Sequence, residues 1–160
     1  MEIRRLAAND APAFRTLRLA ALEAHPADFG SDFALEAQKP LAHFVAQLLD
    51  NHVMGAFVDG VLSGIIALEF RTAAKTRHRA FLWGVYVPAK GVAPALLDAT
   101  LAIGFARAEQ IELGVRIGNP AAEKLYASRG FTRYGIEPRS HRVAGTDHDD
   151  ALMVAFRPGA

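Results

Sequence analysis

No cysteine occurs in the 160 residues of this chain. That absence excludes a disulfide framework, a thiolate metal site and a cysteine nucleophile. Long apolar runs are missing too. Nowhere do about 18 apolar residues pass without a charge or a turn former, so no membrane helix is expected. The opening stretch MEIRRLAANDAP holds no apolar segment of the secretory kind. Charge of one sign is also scarce: 18 Lys and Arg stand against 17 Asp and Glu, a formal net charge of +1. Neither nucleic acid nor an anionic membrane is therefore called for as a partner. What is present, 51% hydrophobic and 22% charged residues, is the composition of a globular protein rather than a disordered one. The expectation is a soluble, cytoplasmic, single domain over residues 1–160.

The hydrophobic pattern divides this length into short elements. Glu2–Leu6 alternates as a strand. Asn9 and Asp10 are candidate caps for a helix reaching Ala24, with Pro12 in its first turn and Phe14, Leu17, Ala21 and Leu22 on one face. A second helix centres on Leu41–Leu49. The period then changes: His52–Val58 and Val61–Arg71 flank Asp59-Gly60, a strong hairpin signal. A basic loop, Arg71–Arg79, leads to Ala80–Val87, apolar on both faces and so a central strand. Val92–Ala106, apolar nearly all round, is expected to be a largely buried helix. Gln110–Ile117 is a strand, Asn119 caps a helix that Gly130 ends, and Phe131–Ile136 and Asp150–Arg157 are the last strands. The polar stretch Glu137–Asp149 between them is expected to be a loop. This order predicts an α/β fold, a mixed sheet with helices on its faces.

Two segments point to chemistry. The first is the strand AFLWGVYV, a turn containing Gly91, and a helix. Unpaired N–H groups and the helix dipole at such a junction attract phosphate, and Lys90 adds a point charge. Alone, a glycine between strand and helix is more often only an ordinary turn. The second is Gly118-Asn119-Pro120-Ala121-Ala122-Glu123-Lys124-Leu125-Tyr126 with Gly130-Phe131 after it. Tyr126 lies two helical turns after Asn119, on the same face.

In this order and separation the two segments resemble the GNAT superfamily of N-acyltransferases. Asn119, Ala122 and Tyr126 match its Asn-x-x-Ala-x-x-x-Tyr helix, and the element order is similar over nearly the whole chain. The resemblance implies a single-domain fold with a mixed, mostly antiparallel sheet flanked by helices. It also implies acetyl-CoA as co-substrate, no metal, and direct acetyl transfer to an amine in a ternary complex. The backbone of Val85, Tyr86 and Val87 would then receive the pantetheine. The backbone of Lys90, Gly91, Val92, Ala93, Ala95 and Leu96 would take the pyrophosphate, and Asn119 would contact the cofactor or cap its helix. Tyr126 becomes the general acid. Glu69 is the nearest candidate base, since Phe81, Leu82 and Trp83 place no carboxylate on the central strand; a solvated strand-end residue is its other reading. Phe29, Phe33 and Glu36 fall on the acceptor side. The acceptor is a small-molecule or protein amine, and a homodimer follows only by analogy with the fold.

The first segment departs from the family's Arg/Gln-x-x-Gly-x-Gly/Ala pattern. Gly91 and Ala93 fit its small positions, but Pro88 stands where Arg or Gln belongs. The turn is about four residues shorter than expected by comparison, and Pro94 removes one N–H from the first helical turn. The cradle is contracted, or cofactor binding is weak or lost, or residues are missing from this segment. A non-catalytic acyl-CoA-binding or assembly module is the alternative function. The basic loop is a further candidate for holding the 3′-phosphate of CoA. His141 and His148 could reach an active-site rim, with surface positions as the default. Asp147-His148-Asp149-Asp150 reads better as a polar turn than as a metal site.

Overall fold

The computed structural model describes residues 1–159. Its elements run β1 (Glu2–Arg5), α1 (Ala11–Ala24), α2 (Phe33–Ala37), α3 (Leu41–Asp50), β2 (His52–Val58), β3 (Val61–Phe70) and β4 (Arg79–Tyr86). They continue with α4 (Ala93–Arg107), β5 (Gln110–Arg116), α5 (Pro120–Ala127), β6 (Thr132–Val143) and β7 (Thr146–Phe156). Short 3₁₀ turns at Ala8–Asp10 and Pro26–Asp28 bracket α1. All seven strands form one sheet in the order β1-β2-β3-β4-β5-β7-β6. Every neighbouring pair is antiparallel except β4 and β5.

Alternation along β3 explains why this sheet sits between two helical layers. Ile66 and Leu68 pack with Leu82, Leu96, Leu97, Leu101 and Ile111 beneath α4. Ile65 and Ala67, on the opposite face, pack with Phe14, Phe44 and Leu48 of α1 and α3. Each of the leucine, isoleucine and phenylalanine side chains contributes roughly 1.5–3 kcal/mol by leaving water, so the centre of the sheet is the rigid part on which a site can be built.

Several local expectations need correction. Asp10 precedes α1 but does not cap it. Its carboxylate accepts instead from the Ala7 N–H at 2.8 Å and from Arg4 at 2.8 and 2.9 Å, which ties β1 to the helix entry. Helix α4 buries one face only, through Leu96, Leu97, Thr100, Leu101 and Gly104. Its outer face is rich in alanine, which raises hydropathy without demanding burial. The largest difference is the polar stretch Glu137–Asp149. It is strand, not loop: β6 and β7 extend into a long hairpin closed by Ala144 and Gly145, both at positive φ. β6 is the sheet edge, so both its faces are wet and its sequence shows no apolar alternation; Pro138 is tolerated there for the same reason.

Candidate active site

Strands β4 and β5 are paired only over Arg79–Phe81 and Gln110–Glu112. Beyond Phe81 they diverge, and the backbone edge of β4 that faces β5 has no strand partner. A cleft of about 510 Å³ opens in this gap. Its walls include Trp83–Pro88 from β4 and its exit, Leu113–Arg116 from β5, and Asn119, Ala122 and Tyr126 from α5. A second hollow of about 490 Å³ adjoins it and shares Asp28, Phe29, Leu82, Trp83, Gly84 and Gly114. The two are halves of one groove through the sheet.

Gly84 makes the junction. It lies in a β-bulge, where β4 slips against β3 between the Ala67↔Trp83 and Ile65↔Tyr86 pairs, and its φ is +60°. Left-handed backbone at a bulge is what glycine permits most cheaply. The bulge turns the end of β4 away from regular pairing and lines both hollows with its backbone.

Helix α5 places the next two groups. The Asn119 side chain caps it, accepting from the Ala122 N–H at 3.3 Å, so the sequence expectation of a cap holds. Two turns on, Tyr126 is 5% exposed and packs edge-on against Phe131 with ring centroids 5.8 Å apart. Its hydroxyl takes no hydrogen-bond partner among the described residues. Burial pushes its pKa well above the ordinary phenol value, so the group stays protonated and available as a donor.

At the other end of the cleft the chain passes from β4 to α4 through Val87–Val92. Gly91 has φ +78° and no atom within 4 Å of where a Cβ would stand. The N–H groups of Lys90, Gly91, Ala93 and Ala95 have no acceptor among the described residues. The Val92 N–H reaches Ala89 O at 3.4 Å, while its side chain is buried in the core. Leu96 is different: its N–H donates to Val92 O at 3.0 Å and its side chain is fully buried, so it offers nothing to a ligand. Four free donors at a helix start, one glycine and one exposed lysine fit an anion such as a pyrophosphate. Pro94 lacks a donor, but at this point of a helix none is needed.

The acceptor-side expectations divide. Phe29 lines both halves of the groove. Phe33 lies outside them, on a third hollow beside the β6–β7 hairpin. Glu36 is not a groove residue: it is buried in a bidentate pair with Arg18, at 2.7 and 2.6 Å. Arg18 itself walls the second hollow, over the Trp83 ring at 5.3 Å. Glu69 borders the same hollow, but its carboxylate is bound by Arg71 at 2.7 Å. The basic loop 71–78 lies at the start of β4, and eight strand residues at ~3.3 Å each put it roughly 26 Å from the α4 cradle. It cannot hold a phosphate bound there. Asp147 is occupied by Arg142, and an Asp149 oxygen accepts from the Arg139 N–H. Among the described residues no three His, Asp or Glu side chains converge as a metal site.

Asp28, Gly84 and Arg116 join the cleft without a functional signal in the local sequence. Arg116 and Asp28 bond across the mouth of the cleft from positions 88 apart in the chain, and nothing local announces such a pair.

A family model described as Acetyltransferase (GNAT) family matches residues 16–131. This chain belongs to the GNAT acetyltransferase family. Within that family it is 36% identical over 104 residues to the N-alpha-acetyltransferase RimI of Mycobacterium tuberculosis. That match spans 61% of this chain and 62% of the relative's length. The GNAT fold is shared with an acetyltransferase of the GNAT family from Streptococcus pneumoniae (TM-score 0.84, 21% identity, 97% of this chain and 98% of that one). It is shared equally with a Salmonella typhimurium protein described as an acetyltransferase and solved with its cofactor acetyl-CoA (TM-score 0.84, 24% identity, 100% and 95%). The divergence of β4 from β5 is thus the feature this GNAT chain builds its groove on. No described helix is long and apolar enough to cross a membrane.

Proposed function

We propose that this GNAT protein transfers an acetyl group from acetyl-CoA to a primary amine within one ternary complex, with Tyr126 as general acid. The observation that carries the reading is a single groove with complementary ends. Free N–H donors lie at one end, a protonated buried phenol stands in the wall, and an acidic hollow opens at the other. The backbone of Val85, Tyr86 and Val87, along the edge of β4 and its exit that faces β5, would receive the pantetheine as an added strand. Lys90, Gly91, Ala93 and Ala95 would hold the pyrophosphate, and Asn119 would border the thioester end. The acetyl thioester supplies an activated acyl carbon.

In the transfer the amine nitrogen bonds to that carbon and the C–S bond breaks. Tyr126 gives its proton to the leaving sulfur and recovers one from the amine nitrogen. With no cysteine in the chain, an acyl-cysteine route is not available. Glu137 and Asp150, which line the second hollow without an arginine or lysine partner among the described residues, favour a cationic acceptor. The name of the M. tuberculosis relative suggests the α-amino group of a peptide as the first acceptor to test.

Two measurements test the reading in sequence. Calorimetric titration with acetyl-CoA is expected to show saturable binding. CoA release is then followed with an alanine-starting peptide, spermidine and free amino acids. Absence of binding overturns the proposal, and binding without turnover of any amine supports a non-catalytic acyl-CoA module instead.

A further inference from the structure

The β6–β7 hairpin carries a group that the transfer described above leaves without a task. We infer that His141 is the proton acceptor for the incoming ammonium, held in the correct tautomer by Ser140 and supported by Asp150; the inference rests on the acetyl-transfer reading.

The tautomer follows from hydrogen-bond accounting. The Ser140 hydroxyl lies 3.1 Å from the His148 carbonyl, which can only accept, so Ser140 spends its one proton there. The same oxygen lies 2.7 Å from His141 Nδ1 and must therefore accept from it. That places the ring proton on Nδ1 and leaves the lone pair on Nε2. Nε2 faces Gly30, 3.4 Å from where a Cβ of that residue would stand, and His141 lines the acceptor half of the groove.

Asp150 supplies the second observation. It is 8% exposed, and its Oδ1 is buried without a hydrogen-bond partner among the described residues. The nearest cation it can serve is His141, whose Nδ1 is 3.8 Å from that oxygen. A buried, unpaired carboxylate oxygen is costly unless a positive charge forms beside it, and an imidazolium at His141 is such a charge. The backbone is shaped for the approach. β6 is irregular between Glu137 and His141, with Arg139 at φ +52°, so the strand is bent where His141 comes over Asp150.

Other charges share this environment. Glu137 stands opposite Asp150 in the strand register, and His148 opposite His141. Asp28 from the 3₁₀ turn and Glu69 from β3 complete the acidic side of the hollow. Asp28 is bonded to Arg116 and Glu69 to Arg71. The one cation walling this hollow besides His141, Arg18, is closed off by Glu36. Asp32 and Arg142 lie in the third hollow, on the outer side of His141. The step itself is balanced: an N–H bond of the ammonium breaks, its proton passes to Nε2, its electron pair stays on nitrogen, and the imidazolium later loses the proton to solvent.

The experiment has two readouts on the full chain. In a long-range ¹H–¹⁵N spectrum, with the His141 signals assigned from their loss in His141→Gln, neutral His141 is expected as the Nδ1–H form. The Nε2–H form overturns the inference. The pH profile of kcat/KM for the alanine-starting peptide is expected to show an acidic limb. His141→Gln removes that limb and lowers kcat about a hundredfold, while calorimetric binding of acetyl-CoA is unchanged. Glu69→Gln leaves the limb in place. A limb that survives in His141→Gln, or that only Glu69→Gln abolishes, overturns the assignment. Loss of acetyl-CoA binding by the unaltered chain would instead be a failure of the transfer reading, and the tautomer would still be judged by the spectrum.

Discussion

Arg79 on β4 holds Glu112 on β5 through two hydrogen bonds, Nε to Oε1 at 2.9 Å and Nη2 to Oε2 at 2.7 Å. The pair stands within the three-residue stretch where these strands remain joined, at the apex of the groove. Burial pushes the Glu112 carboxyl up, but hydrogen bonds from Arg79 and Gln110 outweigh it and hold the pKa below the ordinary value. A carboxyl lowered on folding stabilises the native state above its unfolded pKa, and that contribution is lost as pH falls through the lower folded value. Glu112→Gln is therefore expected to cost roughly 1–3 kcal/mol at neutral pH, between the exposed-pair and buried-pair limits. The deficit should shrink as pH falls from the ordinary glutamate value through the lowered folded one. Urea unfolding of both proteins across pH checks it.

The buried phenol makes a second prediction. Tyr126→Phe keeps the ring against Phe131 and removes only the hydroxyl, so stability should change by less than about 1 kcal/mol. kcat with a responsive amine should fall about 10²–10⁴-fold, the usual worth of a positioned acid. Because burial raises the pKa above the ordinary phenol value, the rate should show no fall from this group as pH rises to about 10. Steady-state kinetics of CoA release would reveal either failure.

The elements that set the sheet were readable because their signals are local. Asp59 and Gly60 both adopt positive φ in the hairpin they announced, and Asn119 caps the helix it precedes. The groove was partly readable, through Tyr126, Asn119 and Gly91, whose spacing is fixed by one helix and one turn. What escaped reading depends on register between distant strands. His141 meets Asp150 only because β6 carries extra residues between Glu137 and His141 as it pairs with β7. Arg18 meets Glu36 only after an intervening 3₁₀ turn folds α2 back. An edge strand wet on both faces, such as Thr132–Val143, leaves no period to detect.

The bulge residue makes a third prediction. A Cβ on Gly84 would lie 3.7 Å from Arg18 Nη1 and 3.8 Å from the Ala67 Cβ, which is ordinary contact. The cost of Gly84→Ala is then conformational, roughly 1–2 kcal/mol for left-handed backbone. Gly84→Asn should cost less, since asparagine tolerates that region better. Thermal unfolding should rank the variants glycine, asparagine, alanine. Equal losses for the two substitutions would mean that crowding, not φ, sets the penalty.

Arg18 and Glu36 form the fourth. Arg18 is 4% and Glu36 8% exposed, and Ser31 Oγ accepts a further Arg18 hydrogen bond at 3.0 Å. Removing one partner strands a charge. Arg18→Met should therefore destabilise the fold by about 3–5 kcal/mol, and Glu36→Gln by a similar amount. Replacing both, as Arg18→Met with Glu36→Leu, removes the charges together and should recover most of the loss. Since Arg18 also walls the second hollow over Trp83, where the proposed amine would sit, the double variant should raise KM for the amine while leaving acetyl-CoA binding unchanged. Urea denaturation and amine kinetics separate the two effects. If stability recovers but KM does not shift, the pair serves only to dock α2 on α1, and the acceptor is recognised from the β6–β7 side.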